Sequence, residues 1–253
     1  MQRSDFEDLD KLESTHWWFK GMREISKTIL TRFITSSESA LDAGCGVGGN
    51  LTWLEQYAPR EKIFGIDIDS DAVSFTSPNY RERVKVASVT ELPFADNTFD
   101  LVTSFDVLVQ VPGDDGERSG VDEMYRVLKP GGHLYIRCAA YPWLFSDHDR
   151  SLHTQRRYTK TTLIAALSKS GFSPLYASYA NFFLLPVAVL SRLVLKPLGL
   201  VSKGSDVRAA PKLVDTVFGL LLKLESFLLS FGISLPAGLS VIVVAKKKGP
   251  DLN

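Results

Sequence analysis

Two spacings of apolar residues run along the chain. Short apolar runs bounded by glycine or acidic residues predict strands at Ala40-Leu41, Lys62 to Asp69, Val84 to Val89, Phe99 to Val107, His133 to Ala139, 173–180 and Leu239 to Lys246. Between them, apolar residues recur at helical spacing. Ile25, Ile29, Leu30 and Phe33 mark a helix within 5–35, and Leu51, Leu54 and Tyr57 mark another. Further helices are expected from Gly120 to Leu128, from Thr159 to Ser170 before Gly171, and from Pro211 to about Phe231. Strands alternating with helices imply a parallel sheet with right-handed crossovers.

The first strand stops at Asp42-Ala43-Gly44-Cys45-Gly46-Val47-Gly48-Gly49. A strand that turns tightly into a helix needs residues that tolerate positive φ and let backbone approach a ligand, and glycine does both. The helix start then offers free N–H groups. About 20 residues on, the second strand ends in Asp67, the place where an acid accepts hydrogen bonds from ribose hydroxyls. Asp69 precedes Ser70, Asp71 and Ala72 and reads as the cap of the next helix. An acid placed before the first glycine suits an ammonium group better than a pyrophosphate, which disfavours a dinucleotide.

Charge and cysteine content narrow the classes. Lys+Arg and Asp+Glu both number 29 over 253 residues, which argues against a broad nucleic-acid footprint. Cys45 and Cys138 fall in the glycine loop and a strand, so neither a disulfide framework nor a metal site is expected. The start, Met1 to Asp10, is polar and acidic, unlike a secretory signal; the expected location is the cytoplasm, with peripheral membrane contact left open.

Residues 40–140 resemble class I S-adenosylmethionine (SAM) dependent methyltransferases of the small-molecule type. The matching pieces are residues 41–49, Gly65-Ile66-Asp67-Ile68-Asp69, Glu91 to Phe94, Phe99 to Val102, Asp106 to Leu108 and Arg126 to Gly132. His16-Trp17-Trp18-Phe19 and Arg156 to Thr159 are similar to one bacterial subgroup. The resemblance implies an α/β, Rossmann-like fold with a seven-stranded, mainly parallel sheet, helices on both faces and an antiparallel last strand, plus a helical lid and insertion. It implies SAM as cofactor, with S-adenosylhomocysteine as product, and no metal. Gly44, Cys45 and Gly46 would pass under the methionine part, Asp42 would orient the loop and the amino group, and Asp67 would hold the ribose. Ile68 would lie on adenine, with Ser88 and Val89 at its edge. Phe105 and Asp106 would close the site near the sulfonium, with Phe19 and Arg23 of the lid as further cofactor contacts. Ser88 stands where many relatives have Asp, and Val109-Gln110 where many have Glu-His.

Loop 141–158 leaves the carboxyl end of the fifth strand, where ligands sit in open α/β sheets. His148 and His153 there are candidate general bases, or else parts of a polar network that holds the loop. Trp18, Tyr141, Arg156 and Tyr158 are candidate acceptor contacts. The Arg156-Arg157 pair suits an acidic acceptor group, although such a pair more often caps loop carbonyls or pairs with acids. The aromatic cluster at 16–19 serves as a lid, as a staple to the core, or both.

About 55 residues separate the sixth and seventh strands. In the helix from Pro211, Lys212, Asp215, Thr216, Gly219, Lys223, Ser226 and Ser230 form one polar stripe, and Glu225 falls on the apolar remainder. Such a helix needs cover from the protein's own core, a second subunit, or a membrane surface or lipophilic acceptor. Glu225 either bonds within the core or faces the acceptor. The organisation read from this is a lid (1–35), a SAM-binding core (36–181 and 237–248), an apolar insertion capping the acceptor site (182–236) and a tail (249–253). The expected function is methyl transfer to an O, N or C nucleophile of a largely apolar small molecule, not of nucleic acid. The alternative is a non-catalytic scaffold that docks through 182–236 on a partner or membrane, with a homodimer one form of that contact.

Overall fold

The computed structural model describes residues 3–195, 198 and 212–249. The polar link Ser202 to Ala210, Pro211 and residues 250–253 lie outside them. Helices α1 (Arg3–Thr15) and α2 (Trp17–Leu30) lead into strand β1 (Ala40–Ala43). One helix over 5–35 was expected, but the chain breaks at His16. That residue is extended (φ −70°, ψ 136°), and its Nδ1 accepts the Trp18 N–H at 3.2 Å, which caps α2.

The core continues through α3 (Gly49–Leu54), β2 (Ile63–Asp67), α4 (Ser70–Ser74), β3 (Val84–Val86) and β4 (Phe99–Phe105). Asp69 caps α4, accepting from the N–H groups of Asp71 and Ala72. Next come α5 (Asp114–Val127) and β5 (Leu128–Ala139). The fifth strand starts earlier than expected, taking in Lys129 to Gly132, and a register shift opposite Phe99 and Leu101 absorbs the turn residues. Then follow α6 (Asp147–Ser151), α7 (Lys160–Lys169), β6 (Phe172–Ala180), α8 (Leu185–Leu190), α9 (Lys212–Ser230) and β7 (Ser240–Lys247). A capping box of Thr159 with Thr162 starts α7.

The seven strands lie in the order β3-β2-β1-β4-β5-β7-β6. Pairs from β3 to β5 are parallel, and β7 runs antiparallel to both β5 and β6. Strand order reverses between β1 and β4, which opens a crevice at their carboxyl ends. One face of the sheet packs on α5 and α7 through Val121, Met124, Leu163 and Leu167. The other packs on α2, α3 and α9 through Met22, Ile25, Leu51, Leu54, Leu222 and Leu229.

The inner side of α9 is covered by the protein itself. A Cβ on Gly21 would stand 2.3 Å from Leu222, so α9 sinks onto α2 only because that residue is glycine. Asp215 accepts the Trp17 N–H at 3.2 Å, and the hydroxyls of Thr28 and Ser226 lie 2.7 Å apart. The polar stripe thus partly faces α2 rather than water. The opposite side of α9 keeps a line of large apolar residues exposed. Among the described residues, no helix is long and apolar enough to cross a membrane.

Candidate active site

The crevice floor is the turn after β1. Gly44 sits at φ +94°, and a Cβ there would stand 2.1 Å from Val107 Cγ2. Only glycine meets both conditions. The N–H groups of Gly44 and Cys45 both donate to Ile66 O, at 2.9 and 2.8 Å. Gly46, at φ +55°, has nothing within 4 Å of its Cβ position, so the turn presents open backbone there.

Three carboxyls surround this turn. Asp42 is fully buried; Thr103 Oγ1 donates to its Oδ1 at 2.8 Å, while Oδ2 has no partner. Burial pushes its pKa up to about 8; the Thr103 bond opposes that, and the charges of Glu13 and Asp67 add to it. Asp67 Oδ2 accepts the Gly46 N–H at 2.8 Å, and Oδ1 accepts that of Asp69 at 3.0 Å. Burial raises its pKa as well. The third is Glu13 of α1, whose Oε2 lies 1.7 Å from where a Gly49 Cβ would stand. Its carboxyl is pushed up to about 7 by burial, against the lowering effect of Arg23 and the Gly49 N–H. Burial thus holds these carboxyls toward their neutral form. A cation placed among them would stabilise the charged form and partner the open Asp42 Oδ2.

Residues 41–136 match a family model described as a methyltransferase domain. They form a class I SAM-dependent methyltransferase domain. An uncharacterized methyltransferase of Schizosaccharomyces pombe is 26% identical over 164 residues, 58% of this chain and 57% of that protein. A demethylmenaquinone methyltransferase of Symbiobacterium thermophilum is 31% identical over 152 residues, 55% of this chain and 56% of that protein. The chain thus spans little more than half the length of either relative. Among solved structures, the methyltransferase complexed with the Haloferax volcanii activator Trm112 superposes with a TM-score of 0.61 at 17% identity. That match covers 97% of this chain and 96% of the other and speaks for the fold.

SAM fits the methyltransferase domain's crevice. The open backbone at Gly46 allows close approach, and the carboxyl cluster offers acceptors to an ammonium and a ribose. Ile68 is 73% exposed at the end of β2, a free apolar surface for a flat ring. Ser88 Oγ is engaged with Thr90 Oγ1 at 2.7 Å, and Val89 is buried in the core. The Cys45 thiol is buried and its pKa is raised, first by burial and then by Asp42 and Asp67, so it stays protonated and inert.

At the carboxyl end of β4, Asp106 adopts φ +59° and pairs with Arg137, whose Nη2 and Nε donate at 2.7 and 2.9 Å. The Arg137 guanidinium lies 4.9 Å from the Trp18 ring and 5.1 Å from the Phe105 ring. It therefore ties the start of α2 to the carboxyl end of β4. Arg137 and Glu13 were missed from sequence. The signal for Arg137 was a lone cation in the apolar run Leu134 to Ala139; Glu13 sat unremarked among the acids of α1. Phe19 packs edge-on against Trp18, with ring centroids 5.0 Å apart. The Arg23 guanidinium donates to Glu13 O, and its pKa is lowered by burial and by Arg137, with Glu13 opposing.

On the acceptor side, most named polar groups hold the scaffold. Arg156 pairs with Glu117 at 3.0 Å and Asp114 at 3.4 Å, and the Tyr158 hydroxyl bonds Glu117. These contacts tie loop 141–158 to the start of α5. The buried Asp149–Arg157 pair, at 2.6 Å, anchors α6, and the Arg150–Asp147 pair lies at its surface. His148 is half-buried in α6, while His153 is exposed at φ +55°. Tyr141 stacks between Trp143 and Tyr179, at 5.4 and 5.0 Å.

Of the two places open to Glu225, the structure excludes an acceptor contact: it is fully buried and its oxygens accept the N–H groups of Asn181 and Phe182 at 2.5 and 2.8 Å. It satisfies the backbone where β6 leaves the sheet. Among the described residues, no group of three His, Cys, Asp or Glu is arranged to hold a metal.

Proposed function

We propose that the protein transfers a methyl group from SAM to an O, N or C nucleophile of a largely apolar small molecule by in-line displacement. The observation that carries this reading is the buried, unpartnered Asp42 Oδ2 beside the glycine turn. SAM supplies an activated sulfonium methyl, so the protein's task is positioning and exclusion of water. Asp42 and Asp67 hold the donor, and the Gly44–Gly46 backbone supports it. Trp18 and Phe105, fixed by Arg137, wall the space beside Asp106 with apolar rings. Trp143, exposed at the outer end of the Tyr141 stack, contributes a further aromatic surface from loop 141–158.

Arg192, in the first part of the insertion, helps to lower the Asp149 carboxyl through its charge, after the larger effect of Arg157. His148 and His153 stay as candidate bases for an acceptor whose proton needs removal. Calorimetry with SAM and S-adenosylhomocysteine, followed by labelled methyl transfer to a panel of quinols, sterols and aromatic amines and alcohols, tests the reading. Binding of both ligands and labelling of an apolar acceptor are expected. A folded chain that binds neither overturns it.

A further inference from the structure

We propose that α9 seats the protein on a bilayer surface that carries anionic lipid. Leu213, Val217, Leu220, Leu224, Phe227 and Phe231 are each between 43% and 74% exposed. Their spacing of three and four residues places them in one line along the helix. At 1.5 Å per residue the line is about 27 Å long. An uninterrupted apolar strip of this size on a protein surface marks a contact site.

Charge selects the occupant. The two acids of α9 turn inward, Asp215 to the Trp17 N–H and Glu225 into the core. The two lysines, Lys212 and Lys223, are exposed on one flank of the strip. A second copy would bring the same strip and the same lysines, giving apolar contact without a charge partner. An anionic bilayer supplies both: the strip sinks about 5–10 Å into the headgroup boundary while the lysines meet phosphates.

A groove of about 700 Å³ runs beside the strip, lined by Lys20, Arg23, Trp53, Lys223 and Phe227, with Glu24 as its one acid. Phe227 belongs to both strip and groove. An anionic headgroup therefore finds cations and an aromatic wall where the acyl region begins.

This proposal concerns where the protein sits and does not rest on methyl transfer. Flotation of the full chain with phosphatidylcholine vesicles, with and without phosphatidylglycerol, tests it. Binding is expected only with phosphatidylglycerol. It should fall about tenfold in Leu220→Ser/Phe227→Ser and several-fold in Lys212→Gln/Lys223→Gln or at high salt. Circular dichroism and SAM calorimetry on each variant confirm that fold and donor site are intact. No binding by folded wild type, or binding unchanged in Leu220→Ser/Phe227→Ser, overturns the proposal. So does a dimer in sedimentation that the same variant dissociates while vesicles are ignored; the occupant is then a second copy.

Discussion

The glycine turn proposed as the donor side and loop 141–158, proposed as the acceptor side, are built on opposite principles. On the donor side, backbone geometry dictates residue type: Gly44 must be glycine because of its φ and because of Val107. Polar groups there are left partly unsatisfied, as at Asp42 Oδ2. In loop 141–158, the buried and half-buried arginines are satisfied by carboxylates. Arg156 with Glu117 and Arg157 with Asp149 are closed pairs. A group with capacity to spare faces a ligand; a group fully engaged holds the scaffold. Polar residue types in a loop do not by themselves distinguish these cases.

The comparison breaks most sharply at Asp149. Burial would raise its carboxyl pKa, but the hydrogen bonds and charge of Arg157 hold it below the ordinary range. Asp149→Ala leaves Arg157 buried without its carboxylate and should cost about 3–5 kcal/mol in urea unfolding. SAM affinity of the folded fraction should be unchanged; a specific loss of donor affinity would erase the division between the two sides. Gly44→Ala should cost about 2–4 kcal/mol, and here donor binding should disappear along with stability. Retained SAM binding by calorimetry would show that the turn is not the donor floor. Smaller is Asp67→Ala, expected to weaken SAM by about 1–3 kcal/mol, with an unchanged affinity removing Asp67 from the site.

Smallest is a pH effect at Glu13. Its carboxyl is raised from 4.5 to about 7 in the folded chain, so the folded state holds a proton that the unfolded chain has already lost. That contribution to stability is complete below pH 4.5 and disappears as pH rises through about 7. Because Glu13 is only half-buried, the effect is about 1–2 kcal/mol. Urea unfolding of the donor-free chain at pH 4 and pH 8 should show a loss in wild type that Glu13→Gln makes smaller, the rest being carried by Asp42 and Asp67. Parallel pH curves would exclude Glu13 from the carboxyl cluster.

Most of the fold was legible because it follows from periodicity. The strands of 40–140 and the caps at Asp69 and Thr159 lie where spacing and local hydrogen bonding require, whereas α5 begins at Asp114 rather than near Gly120 because its polar first turns carry no apolar spacing. The break at His16 was not legible, since it depends on one imidazole accepting from Trp18. Glu225 was read from a helical projection that shows burial but not partners, and the partners come from residues 44 and 43 positions away. Arg137 escaped because its three contacts come from α2, from β4 and from the residue just after β4, and only the folded sheet brings them together.

The place of β7 has a consequence for how the chain is made. It lies between β5 and β6, so 240–247 must emerge from the ribosome before 128–139 gains its second neighbour. Until then, β5 is an unpaired edge and β6 has no ladder to join. The apolar insertion is synthesised during that interval, while the sheet is still open. Nascent chains halted before residue 240 should therefore be the ones that aggregate or recruit chaperones.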